Sequence, residues 1–308
     1  MTMLQATGRP DRAIAANLIC MASMLVWSAG LPAADVLIGK LPPLTLTAIR
    51  MALAALALMP LWWAMDGWAA LRGAPWGRGI SIGGVGFGFG AFLVLVAQAK
   101  TDAVTVAVVG ASMPVVGIAL ECLLDGRRLT VATIAGVVLS LAGGLVAYAA
   151  RMGSLSLGLG ALAAFGSVLA YTWGSRATVI AFPELSSMGR TTITLAGAGI
   201  ATVLAAVAAV ALGIEPAPDW SRIGWPEIGA MGIYSIGALS VTQVLWILAV
   251  GHLGIGAAAL HMNATPFYVM LFLFVLGGGW NWTQALGAAI VVAGVLIAQG
   301  LLWPAPRR

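Results

Sequence analysis

The sequence is short of charge. Asp, Glu, Lys and Arg together supply 8% of its 308 residues, where a soluble domain carries about 25%. Hydrophobic residues make up 61% and the mean hydropathy is +1.02, so too little polar surface exists to cover a water-soluble fold. Cysteine is nearly absent: Cys20 and Cys122 both lie in apolar runs without metal-ligand spacing, which predicts small core residues and neither a disulfide nor a metal site. His252 and His261 are the only histidines, and no His-Glu-x-x-His, clustered acids or paired Ser and His groups occur, which argues against a membrane enzyme. There is no Walker A sequence. Gly83, Gly84, Gly86, Gly88 and Gly90 sit inside an apolar run rather than between a strand and a soluble helix, so they predict close helix packing and no nucleotide cofactor. The net charge of +5 is scattered singly through short loops, which excludes a nucleic-acid stripe.

What the sequence has is long, continuous apolar runs, unlike the alternating segments of about ten residues in an outer-membrane barrel. A bilayer core about 30 Å thick takes roughly 20 residues per helix, which predicts an all-α integral membrane protein of about ten transmembrane helices. The spans are expected at Ala13 to Val36, Leu44 to Trp63, Gly79 to Ala99, Ala103 to Leu124, Thr130 to Ala150, Leu155 to Arg176, Met188 to Leu212, Pro226 to Val250, Ile255 to Gly277 and Thr283 to Leu302. The polar stretch Met1 to Arg12 lacks a cleavage pattern after it and reads as a cytoplasmic tail, residues 1–12, with a second tail at 304–308. With both termini inside, Arg9, Arg12, Arg72, Arg78, Arg127, Arg128, Arg176, Arg190, Arg307 and Arg308 fall on the cytoplasmic side. Only Lys40, Arg50, Lys100, Arg151 and Arg222 fall on the other, as the positive-inside rule requires.

Folding the chain on itself near Arg151 to Ser154 aligns two repeats, 13–150 and 154–303. Trp27-Ser28 is echoed by Trp173-Gly174, Pro43 to Arg50 by Pro183 to Arg190, Pro114 by Pro266, and Gly136 to Gly143 by Gly287 to Gly294. Five helices per repeat is an odd number, so the second repeat enters the membrane from the opposite side. Two inverted repeats in one chain are an architecture of secondary transporters, with the solute site near the midplane between the halves.

These residues resemble the EamA-type branch of the drug/metabolite transporter superfamily: a Trp-Ser or Trp-Gly pair in each repeat's first helix, Pro followed by Arg entering the second, and glycine-rich fifth and tenth helices. Within it, the aromatic amino acid exporter subgroup is the most similar. The resemblance implies export of aromatic and other neutral amino acids or related small metabolites across a bacterial-type inner membrane. It also implies a cavity lined mainly by the first, third, fourth, sixth, eighth and ninth helices.

The matched Pro114 and Pro266 are candidates for shaping the pathway, since interrupted helices in inverted halves free backbone carbonyls; packing kinks are the alternative. His261, Thr265 and Tyr268 share a helical face, with Asn263 nearby, and are read as solute contacts or as interhelical hydrogen bonds. Gln243 and Trp246, one turn apart, join Trp27, Ser28, Tyr171 and Trp173 as candidate pathway residues. Arg50, Arg190 and Glu121 read as structural or gate charges, the arginines chiefly as anchors and Glu121 as a partner of Arg127 or Arg128. A cationic multidrug carrier is the alternative within transport; it calls for a carboxylate in the middle of a helix, whereas Asp35 lies near a helix end and Glu121 is the only acidic residue clearly within a span. No cofactor is expected. The partners are a small solute and membrane lipids, and both repeats in one chain favour a monomer.

Overall fold

The computed structural model describes residues 10–100, 109–149, 158–275 and 277–302. Most of both expected tails, the repeat junction at Arg151 to Ser154, Trp303 and the first part of the expected fourth helix lie outside the described residues. Among those described, the chain is all α, with one isolated bridge between Ile38 and Leu41.

Helix α1 covers Pro10–Leu37 and α2 covers Pro43–Gly73. α2 overruns its expected end at Trp63 and turns at Gly67, whose φ of 81° only glycine adopts without strain. α3 runs from Trp76–Ile82 through a π-helical segment, Gly83–Phe89, into Gly90–Lys100. α4 is Met113–Asp125 and α5 is Val131–Ala149. α6 is Leu159–Ala181 and α7 is Ser187–Ala211. α8 repeats the design of α3: Trp225–Gly232, a π-helical Ile233–Ser240, then Val241–Leu253. α9 joins Ile255–Ala259, a 3-10 segment Leu260–Ala264 and Thr265–Val275, and α10 is Trp282–Ala298.

Among the described residues, five segments are long and apolar enough to cross a bilayer: Ala13–Ala34, Pro43–Gly73, Trp76–Ala97, Ser187–Ala211 and Trp225–Leu253. Val131–Val146 and Ala285–Ala298 are shorter apolar helices. The protein is thus a helical bundle with the character of a multi-pass membrane protein.

The main helix packings join the two halves of the chain. α2 packs on α7, α4 on α9 and α5 on α10, while α3 lies against α6 and α7, and α8 against α1 and α2. Small residues set these distances. A Cβ on Gly86 would lie 2.6 Å from the Gly174 Cα, so α3 and α6 touch backbone to backbone, as the glycine pattern predicts. A Cβ on Gly136 would lie 2.4 Å from the Gly294 carbonyl oxygen, and one on Gly143 2.7 Å from that of Gly287. The glycines matched between the repeats therefore meet crosswise in the α5–α10 contact, Gly136 against Gly294 and Gly143 against Gly287.

Two helices expected to be continuous are broken. The described part of the fourth span turns at Ala111 and Ser112, and Pro114 sits in the first turn of the new helix, where its missing N–H costs nothing. Pro266 likewise sits in the first turn after the 3-10 segment. Both prolines thus start helices rather than kink them, at corresponding places in the two halves.

Candidate functional site

Charged groups gather at the ends of the helices. At one end Lys40 pairs with Glu227, which also accepts from the Gly224 N–H at 2.8 Å, and Glu215 accepts from the first turn of α2 at Leu44 N, 2.9 Å. There Asp219 accepts from the Ser221 hydroxyl and amide, which hold its carboxyl below the usual carboxylate range. At the other end Arg176 grips Asp125 through Nε at 2.9 Å and a second nitrogen. Glu121, 3% exposed, pairs with Arg127 and accepts from Gly256 N at 3.1 Å, so it tethers α4 to the first turn of α9. The expectation of an Arg127 or Arg128 partner resolves to Arg127.

Arg50 is the exception. It lies seven residues into α2, about 10 Å from the helix start at 1.5 Å per residue, and is 8% exposed. Its guanidinium stands 3.9 Å from the Tyr234 ring centroid and 4.7 Å from that of Trp27, and one nitrogen donates to the Tyr234 hydroxyl at 3.0 Å. Nε and Nη2 are buried and have no partner among the described residues. Tyr171 is near enough to interact with it electrostatically. That tyrosine donates to Gln243 Oε1 at 2.7 Å, packs edge-on against Phe87 at 5.0 Å, and leaves Gln243 Nε2 buried without a partner. Ser235 Oγ is buried and unpartnered beside Tyr234.

The π-helical segments build this cluster: Phe87 comes from that of α3 and Tyr234 from that of α8. The extra residue per turn widens the ladder, and π segments recur at functional sites. In α8 the Ser240 hydroxyl donates to the Ser235 carbonyl at 3.2 Å and to Ala54 on α2 at 3.2 Å. With Trp27 from α1 and Arg50 from α2, the first half of the chain meets Tyr171, Tyr234 and Gln243 of the second.

Of the remaining expected site residues, several are occupied by the scaffold. Ser28 donates to Met24 O in its own helix at 2.8 Å, and Trp246 Nε1 donates to Ser175 Oγ at 3.0 Å while 1% exposed. Trp173 packs against the group of Trp62, Ile82, Phe182 and Ile193, away from the contacts its echo Trp27 makes. His261 is buried with Nδ1 3.3 Å from the Ala258 carbonyl of its own helix. Asn263 donates to Ser140 Oγ at 3.1 Å, an interhelical bond, while Asn263 Oδ1 and Thr265 Oγ1 are buried without partners. Tyr268 lies edge-on to Phe267 at 5.8 Å. The 3-10 turn advances about 120° per residue, so His261, Thr265 and Tyr268 do not keep the single face that α-helical spacing predicts. Arg190 turns back to the chain before its helix: Nε donates to the Phe182 and Leu185 carbonyls at 2.8 Å each, and Nη2 to Pro183 at 3.1 Å.

Sequence reasoning did not find Tyr234, Phe87 or the π segments, nor that Arg50 is buried with them. Among the described residues, no group of three or more His, Cys, Asp or Glu could hold a metal ion.

No curated protein matches the chain. A solved structure, known by the words "Crystal structure of protein", superposes with a TM-score of 0.77 at 22% identity, covering 95% of this chain and 99% of that one. At that identity the likeness concerns the fold. Residues 14–149 match the EamA-like transporter family, so the first half of this chain is similar to membrane transporters of that family.

Proposed function

We propose that the protein is a secondary transporter with ten transmembrane helices in two inverted repeats, 13–150 and 154–303, both termini cytoplasmic, working as a monomer in a bacterial-type inner membrane. Its solutes are amino acids, aromatic and other neutral ones first, exported by alternating access. One observation carries the reading: the main helix packings among the described residues keep their pattern when α1 to α5 are exchanged with α6 to α10. The α3–α6 and α3–α7 contacts map onto α8–α1 and α8–α2, and the α2–α7, α4–α9 and α5–α10 contacts map onto themselves. Matched π segments, matched breaks at Pro114 and Pro266 and facing glycine pairs follow the same exchange. A site between such halves can be opened to either side by rocking one against the other.

Aromatic rings with a few unsatisfied polar groups between the halves suit a small amphipathic solute. The described charge in that cluster is positive, which disfavours the cationic multidrug alternative. The test is counterflow in proteoliposomes of purified protein with radiolabelled phenylalanine, tryptophan, threonine and a cationic dye. Saturable amino acid flux supports the reading. Dye flux alone would replace it with multidrug export, and no flux of any solute would reject it.

A further inference from the structure

We infer that Arg50 is the docking group for a carboxylate, so that the transporter recognises its solute by an acid group rather than by an amine. This deepens the transport reading and rests on it.

The two repeats supply their own control. Pro43 to Arg50 and Pro183 to Arg190 have the same spacing, and in the second repeat the arginine does what a structural arginine can do at that position. It returns to the chain end before its helix and donates to three carbonyls, Nε to those of Phe182 and Leu185 and Nη2 to that of Pro183. Arg50 makes no such return. It is turned inward between the rings of Trp27 and Tyr234 and spends one nitrogen on the Tyr234 hydroxyl.

The two nitrogens left without partners are Nε and Nη2. These lie along one edge of the planar guanidinium, an edge that can grip both oxygens of a carboxylate in parallel hydrogen bonds. Burying a charge with that edge unmet is costly, and an anion supplies what is missing. The rings fix the guanidinium plane by cation–π contact before any solute arrives, which lowers the ordering cost of binding.

The neighbours fit the rest of such a solute. Tyr171 and Phe87 offer ring faces and edges, and Gln243 Nε2 is a further buried donor without a partner. None of the described side chains shown touching Arg50 or Tyr171 is acidic, so nothing there selects for an ammonium group. The recognised chemistry is a carboxylate on an apolar or aromatic body.

The experiment measures binding of two matched pairs to the full-length purified protein by calorimetry: 3-phenylpropionate against 3-phenylpropionamide, and L-phenylalanine against L-phenylalaninamide. The expected result is at least a tenfold preference for the acid in each pair, collapsing to under threefold in Arg50→Gln. Arg50→Lys keeps the charge without the fork and is expected to lose at least threefold of the preference; it decides the matter should Arg50→Gln not fold. Acids and amides binding within threefold of one another, an undiminished preference in the variants, or no binding of either acid each overturn the inference. Acid-selective binding without flux would reject transport while leaving the carboxylate site standing. Amino acid flux without acid preference would do the reverse.

Discussion

Replacing Arg50 and Arg190 each by methionine should move stability in opposite directions, although the two positions match in the repeat. Methionine is unbranched, flexible and apolar, so it fills much of the space of an arginine stem without charge. Arg190→Met removes three hydrogen bonds to carbonyls at 2.8, 2.8 and 3.1 Å. A bond to a charged group contributes about 1.5–3 kcal/mol. The site is partly exposed, so the three together are discounted to about 2–3 kcal/mol. At about 2–4 °C per kcal/mol, Tm falls by about 5–10 °C.

Arg50→Met removes one hydrogen bond and two ring contacts. The ring contacts are worth about 1–2 kcal/mol together. Against this stands release of a buried charge with two unmet donors, where the penalty is several kcal/mol. The balance favours the variant by about 1–3 kcal/mol, a rise in Tm of about 2–10 °C. The assay is thermal unfolding of both variants in one detergent, followed by tryptophan fluorescence and by loss of the monodisperse chromatographic peak at a fixed heating rate. Equal falls in Tm for the two variants would refute the reasoning, because Arg50 would then be a structural anchor like its counterpart.

Gly86→Val should destabilise the protein by about 1–3 kcal/mol, because even a Cβ there meets Gly174 Cα at 2.6 Å. Gly84→Val should cost far less, since a Cβ there meets only ordinary contact with Ala201 Cβ at 3.5 Å; equal Tm values for the two would contradict the α3–α6 contact. Tyr171→Phe leaves Gln243 Oε1 without its donor. It should raise the KM for counterflow of phenylalanine about two- to tenfold, as loss of a hydrogen bond of about 0.5–1.5 kcal/mol implies, and an unchanged KM would remove Tyr171 from the site.

Much of the scaffold was legible. Charge scarcity and apolar runs identify a membrane bundle, and the glycines of α3 announce close helix packing, which Gly86 makes backbone to backbone against Gly174. Paired prolines marked the breaks in α4 and α9, though they start helices there instead of bending them. The π segments were not legible, because an inserted residue changes the angular register of one turn without altering hydropathy, and an all-apolar face shows no periodicity to disturb. Trp27 and Trp173 match in sequence yet end in different surroundings, since the partner of Trp27 is an arginine on another helix and the neighbours of Trp173 are the apolar group around Trp62.

The same reasoning explains why Arg50 read as an anchor. A Pro-to-Arg spacing specifies only where on a helix the arginine stands, and at that position either outcome is open: the side chain turns back to the preceding carbonyls or inward. Arg190 takes the first course because Phe182, Pro183 and Leu185 present their carbonyls within reach. Arg50 takes the second because Tyr234 offers both a hydroxyl and a ring from 184 residues further along the chain. That ring stands where the π segment of α8 places it, and Gly30 lets α1 close on the same stretch, where a Cβ would come within 2.5 Å of Ala238 Cβ. The inward course leaves two donors of a buried cation unmatched, a cost that packing alone does not recover. A fold whose second repeat meets the same edge of Arg190, Nε and Nη2, with carbonyls has another arrangement open to it, so the unmatched edge of Arg50 has its explanation in what binds there.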